Sequence, residues 1–131
     1  MIAIDTNVLV RLVVDDDPEQ TRQARKLLKR GDIFVSATVL LESAWVLASA
    51  YGLDRPRVSK ALRGVLGLEG VATDAPSAVA QALEWHDAGL DFADALHVAG
   101  AANAQAFVTF DERLVRKAKA AGAGMVAAVP R

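Results

Sequence analysis

The sequence contains no cysteine, few aromatic residues and no long apolar run, and each of these absences excludes something. Without cysteine, neither a disulfide framework nor a thiolate metal site is possible. No apolar stretch reaches the roughly 18 to 20 residues that span a bilayer. The first residues include no basic segment ahead of the apolar ones, so we expect a cytoplasmic protein with no membrane partner. The net charge of -1 neither predicts a polyanionic partner nor excludes one.

The residues that are present are sufficient for one folded domain. Of the 131 residues, 53% are hydrophobic and 24% are charged. A chain of this length can bury roughly two thirds of its unfolded surface, and such an apolar composition excludes a disordered chain. Much of the apolar content is alanine, which favours closely packed helices. We predict a single domain over residues 1–131.

Short apolar segments alternate with helical patterns along the chain. The segments predicted as strands cover 1–4, 33–35, 71–73, 106–110 and 125–129. They lack strict apolar–polar alternation and are separated by helices, which is typical of a parallel sheet covered on both faces. We therefore predict an α/β fold, a three-layer α/β/α domain with a short parallel sheet of four or five strands.

Four acidic residues fall at the ends of predicted strands or near the starts of predicted helices. They are Asp5, Glu42, Asp94 and Asp111. In an open parallel sheet, ligands gather outside the carboxyl ends of the strands. Carboxylates gathered there would repel one another, and a hard divalent cation such as Mg²⁺ or Mn²⁺, which prefers oxygen ligands, would remove that conflict. If the strands are neighbours, the pattern predicts a divalent-cation site.

Each of these acids also has a structural interpretation. Asp91 and Asp111 can cap the helices that follow them, with Asp94 in the first turn after Asp91. Glu42 can be a first-turn glutamate favoured by the helix dipole by about 0.3 to 1 kcal/mol, although its helical neighbours are mostly apolar and an unpaired carboxylate among them is costly. Asp5 has the weakest structural interpretation, because no clean capping pattern follows it.

Several motifs in order resemble the PIN-domain nucleases, and among these the VapC-type toxins of bacterial and archaeal toxin–antitoxin pairs. The motifs are MIAIDTNVLV at residues 1–10, Glu42 early in a helix, DFADALH at 91–97 and VTFD at 108–111. They extend over the whole chain. The resemblance implies that Asp5, Glu42, Asp94 and Asp111 form an acidic quartet that binds Mg²⁺ or Mn²⁺, with Asp5 and Asp94 as the most direct ligands. It implies supporting roles for Thr6, Asn7, Asp91 and Thr109.

The same resemblance implies a function and partners. It implies an endoribonuclease, the toxin of a toxin–antitoxin pair, that hydrolyses RNA phosphodiester bonds with a metal-activated water. It also implies a small cognate antitoxin protein and a homodimer. A non-catalytic PIN-like RNA-binding or interaction module remains the alternative. A phosphoacceptor receiver domain has similar length, but the acidic pair and the lysine that it needs are missing.

An RNA substrate needs cations to hold its backbone. The candidate contacts are Arg113 and Arg116, which follow Asp111 closely, and Arg11. A second basic group recurs at three- and four-residue steps on the predicted second helix and is more typical of a solvated helix face. It consists of Arg22, Arg25, Lys26, Lys29 and Arg30. The few aromatic residues suggest no stacking platform for bases.

Overall fold

A computed structural model describes residues 1–130, and Arg131, the last residue of the predicted domain, lies outside the described residues. The strands are β1 Ile2–Ala3, β2 Ile33–Phe34, β3 Val71–Ala72, β4 Phe107–Thr109 and β5 Val126–Ala128. The helices are α1 Thr6–Val13, α2 Pro18–Lys29, α3 Ala37–Ser49, α4 Arg55–Leu66, α5 Pro76–Asp87, α6 Phe92–Gly100 and α7 Glu112–Ala120. The chain forms two compact units, one over Met1–Pro76 and one that begins at Ser77.

The first unit is a three-stranded parallel sheet with four helices. The strand order is β1-β2-β3, and Ile33 in the central strand pairs with Ile2 on one side and Val71 on the other. Helix α1 contacts α2, α3 and α4. Leu9, Leu40 and other large aliphatic side chains of these elements are fully buried. Burial of this kind contributes about 1.5 to 3 kcal/mol for each large aliphatic side chain, so α1 and α3 are held by the core of this unit.

The second unit contains the parallel pair β4–β5 and the helices α5 to α7. Phe107 of β4 pairs with Val126 of β5, and α7 contacts both strands. The imidazole of His86 is buried and meets the ring of Phe92 edge to face, with 5.8 Å between the ring centroids. Through this contact, the end of α5 packs against the start of α6, the helix that contains Asp94.

The five strands occur in the predicted order, but α1 is a helix that the sequence did not predict, and the strands pair differently from the expectation. The five strands found within residues 1–130 are all parallel, yet they form hydrogen-bonded groups of three and two where one sheet of four or five was predicted. Strand segments of two or three residues are visible as short apolar runs, whereas their pairing depends on contacts between distant parts of the chain. The longest described helix, α3, has 13 residues, and no helix in residues 1–130 is long and apolar enough to span a membrane.

Candidate active site

Asp5 is the N-cap of α1. Its Oδ1 accepts a hydrogen bond from the Val8 amide at 3.0 Å, and the residue is exposed. Asp5 therefore has a structural role as a cap, although no clean capping pattern follows it in the sequence. The sequence TNVLVRLV does not predict a helix clearly, because half of its residues are β-branched and have modest helix propensity.

A cavity of about 320 Å³ in the first unit has Asp5 on its wall. Asn7 and two glutamine side chains, Gln20 and Gln23, provide further polar groups, and Val8, Ala24 and Leu27 provide an apolar side. Asn7 is exposed, whereas Thr6 is buried at the start of α1. Of the two predicted supporting residues beside Asp5, therefore, only Asn7 lines this cavity.

Arg11 also lines this cavity, but its guanidinium is bonded to protein groups. The Arg11 Nε donates to Gln20 Oε1 at 2.8 Å, and Nη1 donates to Asp16 Oδ1 at 2.9 Å and to the Tyr51 hydroxyl at 3.0 Å. The Tyr51 hydroxyl in turn donates to Asp16 Oδ2 at 2.8 Å. The hydrogen bond with Tyr51, followed by the nearby Asp16 charge, raises the pKa of Arg11 despite partial desolvation. We call Arg11, Asp16, Gln20 and Tyr51 the Arg11 cluster. It joins α1 to the start of α2 and to Tyr51, the second residue after α3.

Glu42 is an exposed residue on α3. Because α3 begins at Ala37, Glu42 is its sixth residue, and the first turn of this helix contains no acid. The first-turn interpretation of Glu42 is therefore wrong. The expected cost of a carboxylate enclosed by apolar side chains does not arise either, because Glu42 itself is exposed.

Three carboxylates of the second unit line a single cavity of about 190 Å³, which we call the acidic cavity. They are Asp91, Asp94 and Asp111, and the remaining wall is formed by Leu90, Arg113, Leu114 and Lys117. Asp94 is half-buried, and its pKa is raised, first by desolvation and then by the negative charges of Asp91 and Asp111. The charges of His97 and Lys117 oppose that shift without cancelling it.

Two of these carboxylates are held in place as helix N-caps, as the sequence predicted. An oxygen of Asp91 accepts the Asp94 amide of α6 at 3.2 Å. Asp111 Oδ1 accepts two amides of α7, from Arg113 at 2.9 Å and Leu114 at 3.2 Å. A cap uses the amides that helix geometry leaves unpaired, so both carboxylates have a defined position before any ligand binds.

Thr109 positions the backbone at the same corner. Its Oγ1 accepts a hydrogen bond from the Asp111 amide at 3.0 Å, and its carbonyl accepts one from the Val129 amide at 3.0 Å. The hydroxyl thus fixes the turn from β4 into α7. Thr109 therefore acts through the backbone of Asp111, in keeping with a supporting position.

The acidic cavity suits a hard divalent cation in its chemistry. Its donors are carboxylate oxygens, which Mg²⁺ and Mn²⁺ prefer. A cation would also favour the ionised form of Asp94, whose pKa is raised by burial and then by repulsion from Asp91 and Asp111. In residues 1–130, however, no three acidic or histidine side chains are close enough to bind one ion together. The carboxylates therefore share a cavity without forming a finished ligand set.

Apart from Arg11, the basic residues considered in the sequence lie on two helices, the predicted RNA contacts on α7 and the group predicted as a solvated helix face on α2. Arg113 lines the acidic cavity, and Arg116 is exposed on the same helix, α7. On α2, the exposed basic side chains Arg22, Arg25, Lys26 and Lys29 line a shallow cleft of about 710 Å³. Arg22 is paired there with Glu19 of its own helix. The basic residues of α7 are thus the ones that accompany the carboxylates.

The chain belongs to the PIN domain family, whose profile matches residues 2–120. This match confirms the predicted α/β PIN-like fold class and includes every residue predicted for the site. No curated protein matches the chain significantly. PIN domains are generally nucleases that act on nucleic acid, commonly with divalent metals, so the fold is of a nuclease type.

Proposed function

We propose that this protein is a cytoplasmic Mg²⁺- or Mn²⁺-dependent endoribonuclease and the toxin of a toxin–antitoxin pair. The observation that carries the enzymatic part is the half-buried carboxyl group of Asp94, whose pKa is raised by burial and by Asp91 and Asp111 in the same cavity. Perturbed carboxylates in a cavity are typical of functional sites. Membership of the PIN family supports the same function.

We assign the catalysis to Asp94 and Asp111 together with Asp5 and Glu42. Asp94 and Asp111 rest on the acidic cavity as well as on their motifs, whereas Asp5 and Glu42 rest on their motifs alone. Asp5 and Asp94 are proposed as the most direct ligands. When bound, a divalent cation supplies positive charge that stabilises a phosphoryl transition state and activates water for attack.

The other residues have positioning roles in this proposal. The helix caps hold the carboxylates of Asp91 and Asp111 at the acidic cavity, and Thr109 holds the backbone that carries Asp111. Arg113 and Arg116 attract the phosphates of the substrate, because positive charge on one helix face is the usual means of binding a nucleic-acid backbone. Thr6 and Asn7 support Asp5 at the start of α1.

The toxin role, the cognate antitoxin and the homodimer rest on the motif resemblance. A small protein encoded beside this chain is the expected antitoxin. Adding it to a cleavage assay should stop RNA cleavage at a molar ratio near one antitoxin to one toxin chain, and sedimentation of the free chain should give the mass of a dimer. Cleavage that continues in an excess of the neighbouring protein would contradict the toxin assignment without touching the ribonuclease.

The ribonuclease itself is tested with purified protein and a pool of structured RNAs in Mg²⁺, Mn²⁺ or a chelator. We expect fragments from internal cuts in either metal and none in the chelator. Asp5→Asn and Asp94→Asn should abolish cleavage while the circular dichroism spectrum stays that of the wild type. Glu84→Gln, which removes an exposed acid of α5, is the matched control and should cut normally. If both aspartate variants cut at the wild-type rate, the quartet is wrong.

A non-catalytic RNA-binding module is the second candidate, and one observation favours it. Arg113 and Lys117 line the same cavity as the carboxylates, so the protein itself supplies part of the compensating charge. This module would bind RNA without cutting it in any metal. Calorimetric titration with Mn²⁺, run beside the cleavage gel, separates the two functions, because the enzyme should bind the ion and lose that binding in Asp94→Asn.

A further inference from the structure

Phe110 is the most exposed large apolar side chain in residues 1–130, at 89%. Phenylalanine is among the residues most often buried in folded proteins, and solitary exposed rings need no explanation by themselves. The position of Phe110 is what singles it out, because it lies between Thr109 and Asp111. These are two of the residues assigned to the site.

The backbone on both sides of Phe110 is held by hydrogen bonds. Before it, Thr109 is the last residue of β4, and its carbonyl accepts the Val129 amide at 3.0 Å. After it, Asp111 caps α7 with two amide hydrogen bonds, and its own amide donates to Thr109 Oγ1. The ring is therefore presented to solvent from a fixed corner of the fold. Little order remains to be gained at this corner when a ligand arrives, which favours binding.

The charges beside the ring suit a nucleic acid. Helix α7 begins two residues after Phe110, and its basic side chains are all exposed and outnumber its single acid, Glu112. They are Arg113, Arg116, Lys117 and Lys119. Cations that track a phosphate backbone, combined with an aromatic face on which bases stack, are the combination used by proteins that bind single-stranded nucleic acid.

We propose that Phe110 stacks on an unpaired base of the RNA while α7 holds the neighbouring phosphates. This inference rests on the proposed ribonuclease function and assigns to Phe110 the contact with an unpaired base. A base within a duplex offers no free face to the ring, and unpaired bases in loops are the ones that proteins splay out and stack on aromatic side chains. Phe110 is thus the stacking residue that the sparse aromatic content of the sequence did not suggest.

The surroundings favour a base over an apolar protein surface. Phe110 directly precedes the exposed Asp111 in the chain and is followed on α7 by exposed cations rather than by further exposed large apolar side chains. Val108, two residues before it on β4, is also exposed, at 56%, and provides a matched position for comparison. An apolar docking contact would use both side chains, whereas stacking uses only the aromatic one.

The test measures RNA affinity in an Asp94→Asn background, in which the RNA stays intact. The probes are a ten-nucleotide single strand and a blunt duplex of the same sequence. Adding Phe110→Ala should weaken single-strand binding by roughly 5- to 150-fold, which corresponds to a stacking contribution of about 1 to 3 kcal/mol. Phe110→Tyr should keep the affinity, Phe110→Leu should lose it as Phe110→Ala does, and duplex binding should change little.

Several outcomes would overturn the stacking role. They are wild-type affinity in Phe110→Leu, an equal loss in Val108→Ala, an equal loss for duplex and single strand, and no RNA binding by the Asp94→Asn protein. A smaller oligomer on size exclusion of Phe110→Ala would instead assign the ring to a contact between copies of this chain. None of these readouts needs cleavage. A wild-type protein that binds RNA through Phe110 but never cuts it contradicts the proposed enzyme and leaves the stacking role standing.

Discussion

The Arg11 cluster and the acidic cavity contain similar side chains in opposite arrangements. In the Arg11 cluster, opposite charges are joined, since Arg11 bonds to Asp16 and both bond to the Tyr51 hydroxyl. In the acidic cavity, three carboxylates share one wall, and the pKa of Asp94 is raised first by burial and then by the like charges of Asp91 and Asp111. The first arrangement satisfies its members and has a structural explanation. The second leaves a carboxylate in conflict with its neighbours, which is expected where a ligand completes the charge balance.

The comparison also separates two arginines that the sequence treated alike. Arg11 and Arg113 both follow a predicted site aspartate and were both candidates for RNA contact. The guanidinium of Arg11 is engaged by three side chains of the fold. Arg113 lines the acidic cavity on a helix whose basic residues are exposed. We therefore propose α7 for RNA contact, whereas the hydrogen bonds of Arg11 have a structural explanation.

The largest effect is expected when a charge is removed from the acidic cavity while the helix cap is kept, because this separates a role of Asp111 in activity from its role in stability. Asparagine caps a helix about as well as aspartate, so Asp111→Asn should keep wild-type stability while kcat/KM for RNA falls by roughly 10²- to 10³-fold, the scale on which a lost charge-stabilising group acts. Asp111→Ala should lose the same activity and a further ~0.5 to 2 kcal/mol of unfolding free energy in urea. Normal cleavage by Asp111→Asn would reduce Asp111 to a cap.

Breaking the Arg11 cluster should affect stability alone. Tyr51→Phe removes the hydroxyl that bonds Arg11 and Asp16 and should lower the free energy of unfolding by about 1 kcal/mol, as for a typical net hydrogen bond. RNA cleavage should be unchanged. Ser49→Ala is the control, because its hydroxyl bonds at 2.7 Å to a carbonyl of its own helix and its removal should matter less. If the Tyr51→Phe variant has wild-type stability but cleaves RNA slowly, the Arg11 cluster has a role in activity and not in stability.

The salt dependence of RNA affinity tests whether the basic residues of α7, rather than those of α2, contact the RNA. Each phosphate contact on a single strand contributes about 0.7 to the slope of log affinity against log salt. Arg116→Ala should lower that slope by about 0.7 when measured with Asp94→Asn protein. Arg22→Ala, which removes a cation already paired with Glu19 on α2, should leave the slope unchanged. An effect of Arg22→Ala equal to that of Arg116→Ala would move the RNA contact to α2.

The smallest expected effect is on the stability of the metal-free protein. Because burial and neighbouring charges raise the pKa of Asp94 in the folded state, its ionised form opposes folding above that pKa, and the penalty disappears as pH falls below the unfolded-state pKa. In chelator, Asp94→Asn should therefore melt slightly higher than wild type at neutral pH. The difference should shrink toward about pH 4, near the ordinary pKa of aspartate. A melting-temperature difference that grows on acidification would contradict the raised pKa of Asp94 in the folded state.

Local patterns predicted most elements and some of the site. The caps by Asp91 and Asp111 were visible because a capping side chain and its amide partner lie within three residues of each other. Helix α1 and its cap by Asp5 were missed, since a run of β-branched residues resembles a buried strand as much as a helix. Glu42 was misjudged for a similar reason, because the sequence alone does not say which face of α3 is buried.

The sequence by itself determined the alternation of short strands and helices and the N-cap positions of Asp91 and Asp111. Motifs spread over the chain also determined its membership of the PIN family. Only the tertiary structure decided that Asp91, Asp94 and Asp111 share one cavity and that Phe110 stays exposed. It also decided that Arg11 is bound by Tyr51, 40 residues away in the chain. The physical reason is the sequence separation over which each interaction acts. Propensities and caps act over a few residues, whereas charge pairing and burial depend on segments that the sequence does not show to be neighbours.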